Sequence, residues 1–97
     1  MSGPSPMAAP IEHLPERGRF QARVDGHLSV ADYHLAGGVM HLTHTEVHPA
    51  LQGRGIAAKL VEAALAHARA NGLKVKPLCS YVRTYLRRHP QYQDLLE

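Results

Sequence analysis

Residues 46–58 read EVHPALQGRGIAA. Gln52 leads into Gly53, Arg54 and Gly55, and a helix-forming run starts at Ile56. An extended run that enters a glycine loop and then a helix makes a cradle for an anion. The first-turn N–H groups of a helix have no intrahelical partner, and the helix dipole is positive there. Glycine lets a bulky anion reach the backbone because no Cβ intervenes. Arg54 adds a mobile positive charge. The pattern predicts a phosphorylated ligand held in this turn; the plainer reading is an ordinary loop entering a helix.

Two side chains could do chemistry beside it. Cys79 ends a strand-like run, directly before a helix that Ser80 can cap. A thiol at a helix N-terminus shifts toward thiolate and becomes nucleophilic. A lone cysteine flanked by Leu78 and Tyr81 equally suits a buried structural role. His44 lies on the extended run that leads into the cradle. Histidine titrates near neutrality and can take a proton from a thiol or an amine; it can also be a polar strand residue bonded to a neighbour.

Other phosphate cradles fit less well. A P-loop needs four residues between its glycines and then Gly-Lys-Ser/Thr, which this chain lacks. Gly53, Arg54, Gly55, Ile56, Ala57 and Ala58 satisfy a dinucleotide fingerprint. That fingerprint opens a doubly wound domain and wants an acid at the end of the next strand. The next extended run carries Lys74, Lys76 and Pro77 and no acid, and too little chain follows for a second half.

Residues 1–10 are rich in Pro, Ser, Gly and Ala and read as a flexible tail. Residues 11–97 read as one domain. Strand-like runs at 19–24, 27–35 and 39–47 are joined by Asp25-Gly26 and Gly37-Gly38, which predicts an antiparallel meander. Strict alternation puts Met40, Leu42, His44 and Glu46 on one face of the third run. A helix over 53–71 carries two apolar rows, Ile56-Leu60-Ala64 and Ala57-Val61-Leu65-Ala68, and stops at Asn71-Gly72. A short strand over 73–79 returns beside the third run, in parallel, closing a right-handed βαβ unit. A last helix carries Tyr81, Val82, Tyr85 and Leu86 and ends at His89-Pro90.

Composition narrows the function classes. The 97 residues hold five aromatics and no Trp, so Leu, Val and Ala must fill a modest core. One Cys excludes an internal disulfide and suits a reducing compartment. No signal peptide and no run long enough to span a bilayer are seen, so a cytoplasmic location is expected. A net charge of +3 is too mild for a dedicated nucleic-acid binder. The run RTYLRRH is a solvated helix face or a contact for an anionic group; no stacking platform accompanies it. His41, His44 and His48 form a histidine cluster, but alternation sends His41 and His44 to opposite faces, so no metal site is expected.

Gln52, Gly55 and Ala57 also satisfy Q/R-x-x-G-x-G/A. Together with LTHTEVHPALQGRGIAAKLVEAAL and the later VKPLCSYV, this resembles the GNAT superfamily of acetyl-CoA-dependent N-acetyltransferases, in its small YjdJ-type subgroup. The resemblance implies a minimal GNAT-like α/β (α+β) fold, with a mostly antiparallel sheet, one βαβ crossover and a C-terminal helix. It implies pyrophosphate contacts from the backbone of Gly53, Arg54, Gly55, Ile56, Ala57 and Ala58, with charge from Lys59. It places the pantetheine arm along the backbone near Glu46 and Val47, where the strands splay. The N–H near Val47 would polarise the thioester carbonyl. The CSYV and THT contexts add weight to catalytic roles for Cys79 and His44. A tyrosine in the last helix, Tyr81 or Tyr85, would protonate the leaving thiolate; core packing is the rival role for both.

The implied reaction moves an acetyl group to an amine, by direct attack or through a Cys79 acetyl-enzyme. The alternative is a non-catalytic coenzyme A-binding sensor or interaction module. The chain lacks room for the helices that usually separate the first two strands and help build the acceptor site. That leaves the amine acceptor, small molecule or protein, and the oligomeric state undefined.

Overall fold

The computed structural model of the chain describes residues 10–97, so all but the last residue of the expected N-terminal tail lies outside the described residues. Five strands form one sheet in chain order: β1 (Ile11–Leu14), β2 (Arg19–Val24), β3 (His27–Ala36), β4 (Val39–Glu46) and β5 (Lys74–Pro77). The first four run antiparallel, and β5 lies parallel to β4 across helix α1 (Ile56–Ala70). Helix α2 (Ser80–Arg88) and a 3-10 turn (Pro90–Leu95) close the chain. This α+β arrangement, with one βαβ crossover in a mostly antiparallel sheet, is the expected architecture. No helix among the described residues is long and apolar enough to cross a membrane.

The turns follow their residues. Asp25 and Gly26 both take positive φ, 51° and 78°, as a two-residue hairpin turn of this twist requires. β1 is an addition to the expected meander. Its four residues lie between Pro10 and Pro15 and carry Glu12 and His13, so no strand pattern shows in the sequence. It pairs with β2 from Ile11↔Ala22 to Leu14↔Arg19. The link between them works because residue 18 is glycine. Its φ is 62°, any Cβ there would overlap the Tyr33 carbonyl, and its own carbonyl accepts the Tyr33 N–H at 2.8 Å.

One face of the sheet carries the core. Phe20, Ala22, Ala31, Tyr33, Met40, Leu42 and Val75 pack under the α1 stripe of Ile56, Leu60, Val61, Ala64, Leu65 and Ala68. α2 lies beside α1, adding Val82, Tyr85 and Leu86, and the Tyr85 hydroxyl donates to Glu62 of α1 at 2.9 Å. Leu95 closes the end, and Leu96 bridges to Val75 on the outer side of β5. The opposite face is polar: Arg19 pairs with Asp32 at 2.7 Å, and His34 sits near His41.

At the β1 edge, the His13 ring stacks on Phe20 with centroids 4.1 Å apart and lies edge-on to His67 at 4.5 Å. Its Nε2 bonds the Tyr33 hydroxyl at 2.5 Å. Burial first, and then His67, hold the His13 pKa below its ordinary 6.5, against a smaller pull from Glu16. The unfolded chain therefore takes up this proton before the folded one does. The stability contributed by neutral His13 is complete above about pH 6.5 and is lost as pH falls. Between about pH 7.5 and 5.5 the Tm of the wild type should fall more steeply than that of His13→Gln. Parallel slopes in the two proteins would show that His13 is not linked to folding.

Candidate active site

The site begins where two strands part. β4 and β5 pair through Met40↔Val75, His41↔Lys76 and Leu42↔Pro77, and there the ladder ends. The Leu42 carbonyl accepts the last ladder bond, from Leu78 N–H at 3.0 Å, and a second from Cys79 N–H at 3.1 Å, and the chain turns into α2. β4 continues to Glu46 paired with β3 alone, so one edge of residues 43–46 faces the opening.

A bulge sets which side chains face it. The β3–β4 register runs Asp32↔His44 but Tyr33↔Leu42, leaving Thr43 as the extra residue. The Thr43 hydroxyl donates to the Asp32 carbonyl at 3.3 Å. The bulge reverses the expected alternation. Thr45 and Val47 join the face of Met40 and Leu42, while His44 and Glu46 turn to the polar face with Asp32. Both expectations built on strict alternation are corrected here: Met40 and His44 do not share a face, and His41 and His44 do. Three ligating groups still do not converge on one point among the described residues. His44 Nε2 bonds Glu46 at 3.0 Å, and His48 accepts the Ala50 N–H and stacks on His27.

A groove of about 450 Å³ runs from the fork to the start of α1. Thr45 and Val47 line it from the sheet, Leu51, Gln52 and Gly53 from the loop, Gly55, Ile56 and Ala57 from the helix entry, and Tyr81 from α2. The helix starts at Ile56, three residues later than expected, because Gly53 and Gly55 take left-handed φ values of 86° and 77°. Lys59 N–H makes the first bond of the helical ladder, to the Gly55 carbonyl at 3.1 Å. The N–H groups of Gly55, Ile56, Ala57 and Ala58 precede that bond, and no acid stands in the first turn. Leu51, 1% exposed, pins the loop to the core and was not singled out in the sequence, nor was the side chain of Thr45.

The two basic side chains each stand beside an acid. The Arg54 guanidinium pairs with Asp25 of the β2–β3 turn at 2.8 Å, both side chains being exposed. Lys59 lies 3.8 Å from Glu62. What the groove offers an anion is therefore chiefly backbone.

Cys79 occupies the N-cap of α2, one residue earlier than the Ser80 cap expected. Its thiol donates toward the Thr45 hydroxyl at 3.8 Å. Burial pushes the thiol pKa up, but the Val82 N–H, the Thr45 hydroxyl and the Tyr81 N–H together hold it below its ordinary value. The fork thus brings Cys79 to Thr45 and leaves His44 on the other side of the sheet. Tyr81 is part-exposed in the groove. Burial and then Glu62 raise its pKa, so it keeps a proton to give. Tyr85 is raised much further, by burial and by its bond to Glu62, and ties α2 to α1.

Comparison with known proteins bears on this geometry. The family described as GCN5-related N-acetyl-transferase matches residues 19–95. Protein NATD1 of Mus musculus is 36% identical over 92 residues, spanning 90% of this chain and 84% of its own. Protein NATD1 of Danio rerio is 34% identical over 89 residues, spanning 87% and 81%. The NMR solution structure of a GCN5-like protein from Staphylococcus aureus superposes with a TM-score of 0.75 at 28% identity, covering 92% of this chain and 88% of that one.

Two outcomes test the fork itself. The iodoacetamide alkylation rate of Cys79 should half-titrate below the ordinary thiol pKa of 9.0. Thr45→Val should move that midpoint upward. A wild-type profile at or above that of a free thiol would remove the activated cysteine. Tyr85→Phe should lower stability in urea by about 1 kcal/mol, the usual worth of one such hydrogen bond.

Proposed function

The chain belongs to the GCN5-related N-acetyltransferase family, and on that footing we propose that it transfers an acetyl group from acetyl-CoA to an amine. One observation carries the reading: a single groove joins the unpaired backbone edge of β4 to the free N–H groups at the start of α1. A coenzyme A thioester has the matching parts in the matching order. Its pyrophosphate meets the N–H groups of the loop and first turn, from Gly53 through Ala58, with Gln52 and Lys59 alongside. Its amide-bearing arm lies along residues 45–47 as an added strand would. That brings the thioester to the fork, beside the Val47 N–H, which polarises the carbonyl.

Two routes share this geometry. In direct transfer the amine attacks the thioester carbon, the C–N bond forms, and the C–S bond breaks. Tyr81 gives its proton to the departing thiolate. The His44–Glu46 pair, on the polar face of the sheet, receives the proton lost by an amine arriving from that side. In the second route the Cys79 thiolate takes the acetyl group first and passes it to the amine. The pull of the Val82 and Tyr81 amides on the sulfur favours that route. The separation of His44 from Cys79 favours direct transfer, because no base stands beside the thiol. A non-catalytic coenzyme A-binding module would use the same groove and need neither Cys79 nor His44.

Calorimetric titration should show acetyl-CoA binding at micromolar Kd and no binding of NADH. Gly55→Ala should weaken that binding about tenfold, since it strains a left-handed residue at the cradle. Failure of acetyl-CoA to bind would overturn the reading. Cys79→Ala separates the routes: direct transfer keeps turnover within a few-fold, whereas an acetyl-cysteine route loses at least about a hundredfold and its parallel initial-velocity lines. Tight binding without transfer to any amine leaves the module.

A further inference from the structure

A second groove, of about 400 Å³, lies on the far side of α2 from the acetyl site. Its floor is aliphatic, made by Pro77, Leu86 and Leu96, and its wall is basic, made by Arg83 and Arg87. α2 contains no acidic residue and three arginines, Arg83, Arg87 and Arg88, all exposed. None of the three makes a salt bridge with another described residue, whereas Arg19, Arg54 and Arg69 all do. Asp94, the acid nearest along the closing turn, is taken by Arg69 of α1 at 2.8 Å. Among the described residues, therefore, no ion pair neutralises the basic wall.

Arg83 is also held in place. Its guanidinium donates to the Leu78 carbonyl at 2.9 Å and to the Pro77 carbonyl at 3.4 Å. Those carbonyls belong to the segment that runs into Cys79, so groove and fork share a wall. Arg83 and Arg87, four apart on a helix, lie about 6 Å from each other. Alternate residues of an extended peptide repeat at about 6.6 Å. An acid–x–acid triplet thus presents two carboxylates on one face, at about the spacing of the two arginine Cβ atoms. Guanidinium and carboxylate match in shape as well as charge. Single-stranded nucleic acid suits the groove less well, because no aromatic ring lines it.

We propose that this groove docks an acidic, extended segment of a polypeptide acceptor, holding it beside the fork where its amine is acetylated. The inference deepens the acetyl-transfer reading and rests on it for the identity of the amine. Arg87 lies eight residues along α2 from Cys79, about 12 Å. An extended chain covers that distance in about four residues, so the acidic triplet belongs about four residues from the target lysine.

Fluorescein-labelled peptides of about twelve residues, each with one lysine, test this. One set carries Glu-Leu-Glu about four residues before or after the lysine; the control set carries Gln-Leu-Gln. By anisotropy, one of the acidic peptides should bind at least about tenfold tighter than its control, with the advantage shrinking as salt rises. Arg87→Gln should remove most of that preference and Arg83→Gln/Arg87→Gln all of it. In the acetylation assay Arg87→Gln should raise KM for the acidic peptide and leave kcat, and transfer to a small amine, unchanged. Arg87 is exposed and bonds only Thr84, so its single variant reports on docking even where the double variant unfolds. Equal binding of acidic and control peptides, or a preference that survives Arg87→Gln undiminished, overturns the proposal. So does an oligonucleotide of equal charge that binds tighter through the same arginines. Selective docking without acetylation would leave the groove standing and remove the transfer reading instead.

Discussion

At the Leu42 carbonyl a parallel ladder stops and a fork opens. One oxygen accepts the N–H groups of both Leu78 and Cys79, so β5 cannot advance another pair along β4. The doubled contact turns the chain out of the sheet and into α2. The arrangement leaves part of β4 without a partner on one side, a state that sheets ordinarily avoid because unpaired backbone groups are costly to bury. It persists because β4 is paired with β3 on its other side, on both sides of the Thr43 bulge. Much of the site follows from this stop. It provides the open edge and the position of Cys79 at the start of α2. It also allows a groove continuous with the N-terminus of α1.

The bulge at Thr43 decides the chemistry of that opening. Without it, His44 would face the groove and Thr45 would face away. With it, the groove receives a small hydroxyl that touches the thiol, and the histidine–carboxylate pair is presented on the polar face of the sheet. The two sides of the fork thus carry different groups, and two substrates could approach from opposite sides without sharing a surface. The cradle shows a similar economy. Arg54 is spent on Asp25 and Lys59 leans to Glu62, both at the surface where ion pairs contribute little. Backbone N–H groups at a helix start are directional, and with no acid in the first turn of α1 no side chain there competes for them.

The legible and illegible parts of this molecule divide along physical lines. Features set by local chemistry could be read directly: the Asp25-Gly26 turn, the α1 stripe, the end of α2 at His89-Pro90, and the glycine cradle itself. Features set by tertiary pairing could not. β1 has four residues and two flanking prolines, and it becomes a strand only because β2 offers it an edge. Gly18 looks like any turn glycine until the Tyr33 carbonyl is placed against it. The bulge left no mark either, because Thr43 differs in no obvious way from Thr45, and a one-residue slip inverts every later side chain. That slip is why His44 looked like a partner for Cys79 and is not placed as one. A hint was available in the apolar order. Met40, Leu42 and Val47 can share one face only if the alternation breaks between Leu42 and Val47.

The two-layer build connects the small size of the chain to the openness of its site. Both helices lie on one face of the sheet, so the core is a single sandwich of sheet and helix. A chain this short cannot bury a second apolar face as well, because the fraction of surface it can remove from water is limited. The other face must then carry polar groups, and it does, with Arg19–Asp32 and the histidines. Helices laid over that face would have enclosed a small acceptor and selected it by shape. Their absence among the described residues leaves selection to surfaces around the fork. An exposed amine on a large partner can reach such an opening as readily as a free small molecule. On the proposed acetyl-transfer reading, affinity for an acceptor would come from contacts some distance from the reacting atoms, and electrostatic complementarity acts over that range. The unneutralised arginines of α2 are the described side chains best placed to supply it, one helical turn and two turns from the thiol at the fork.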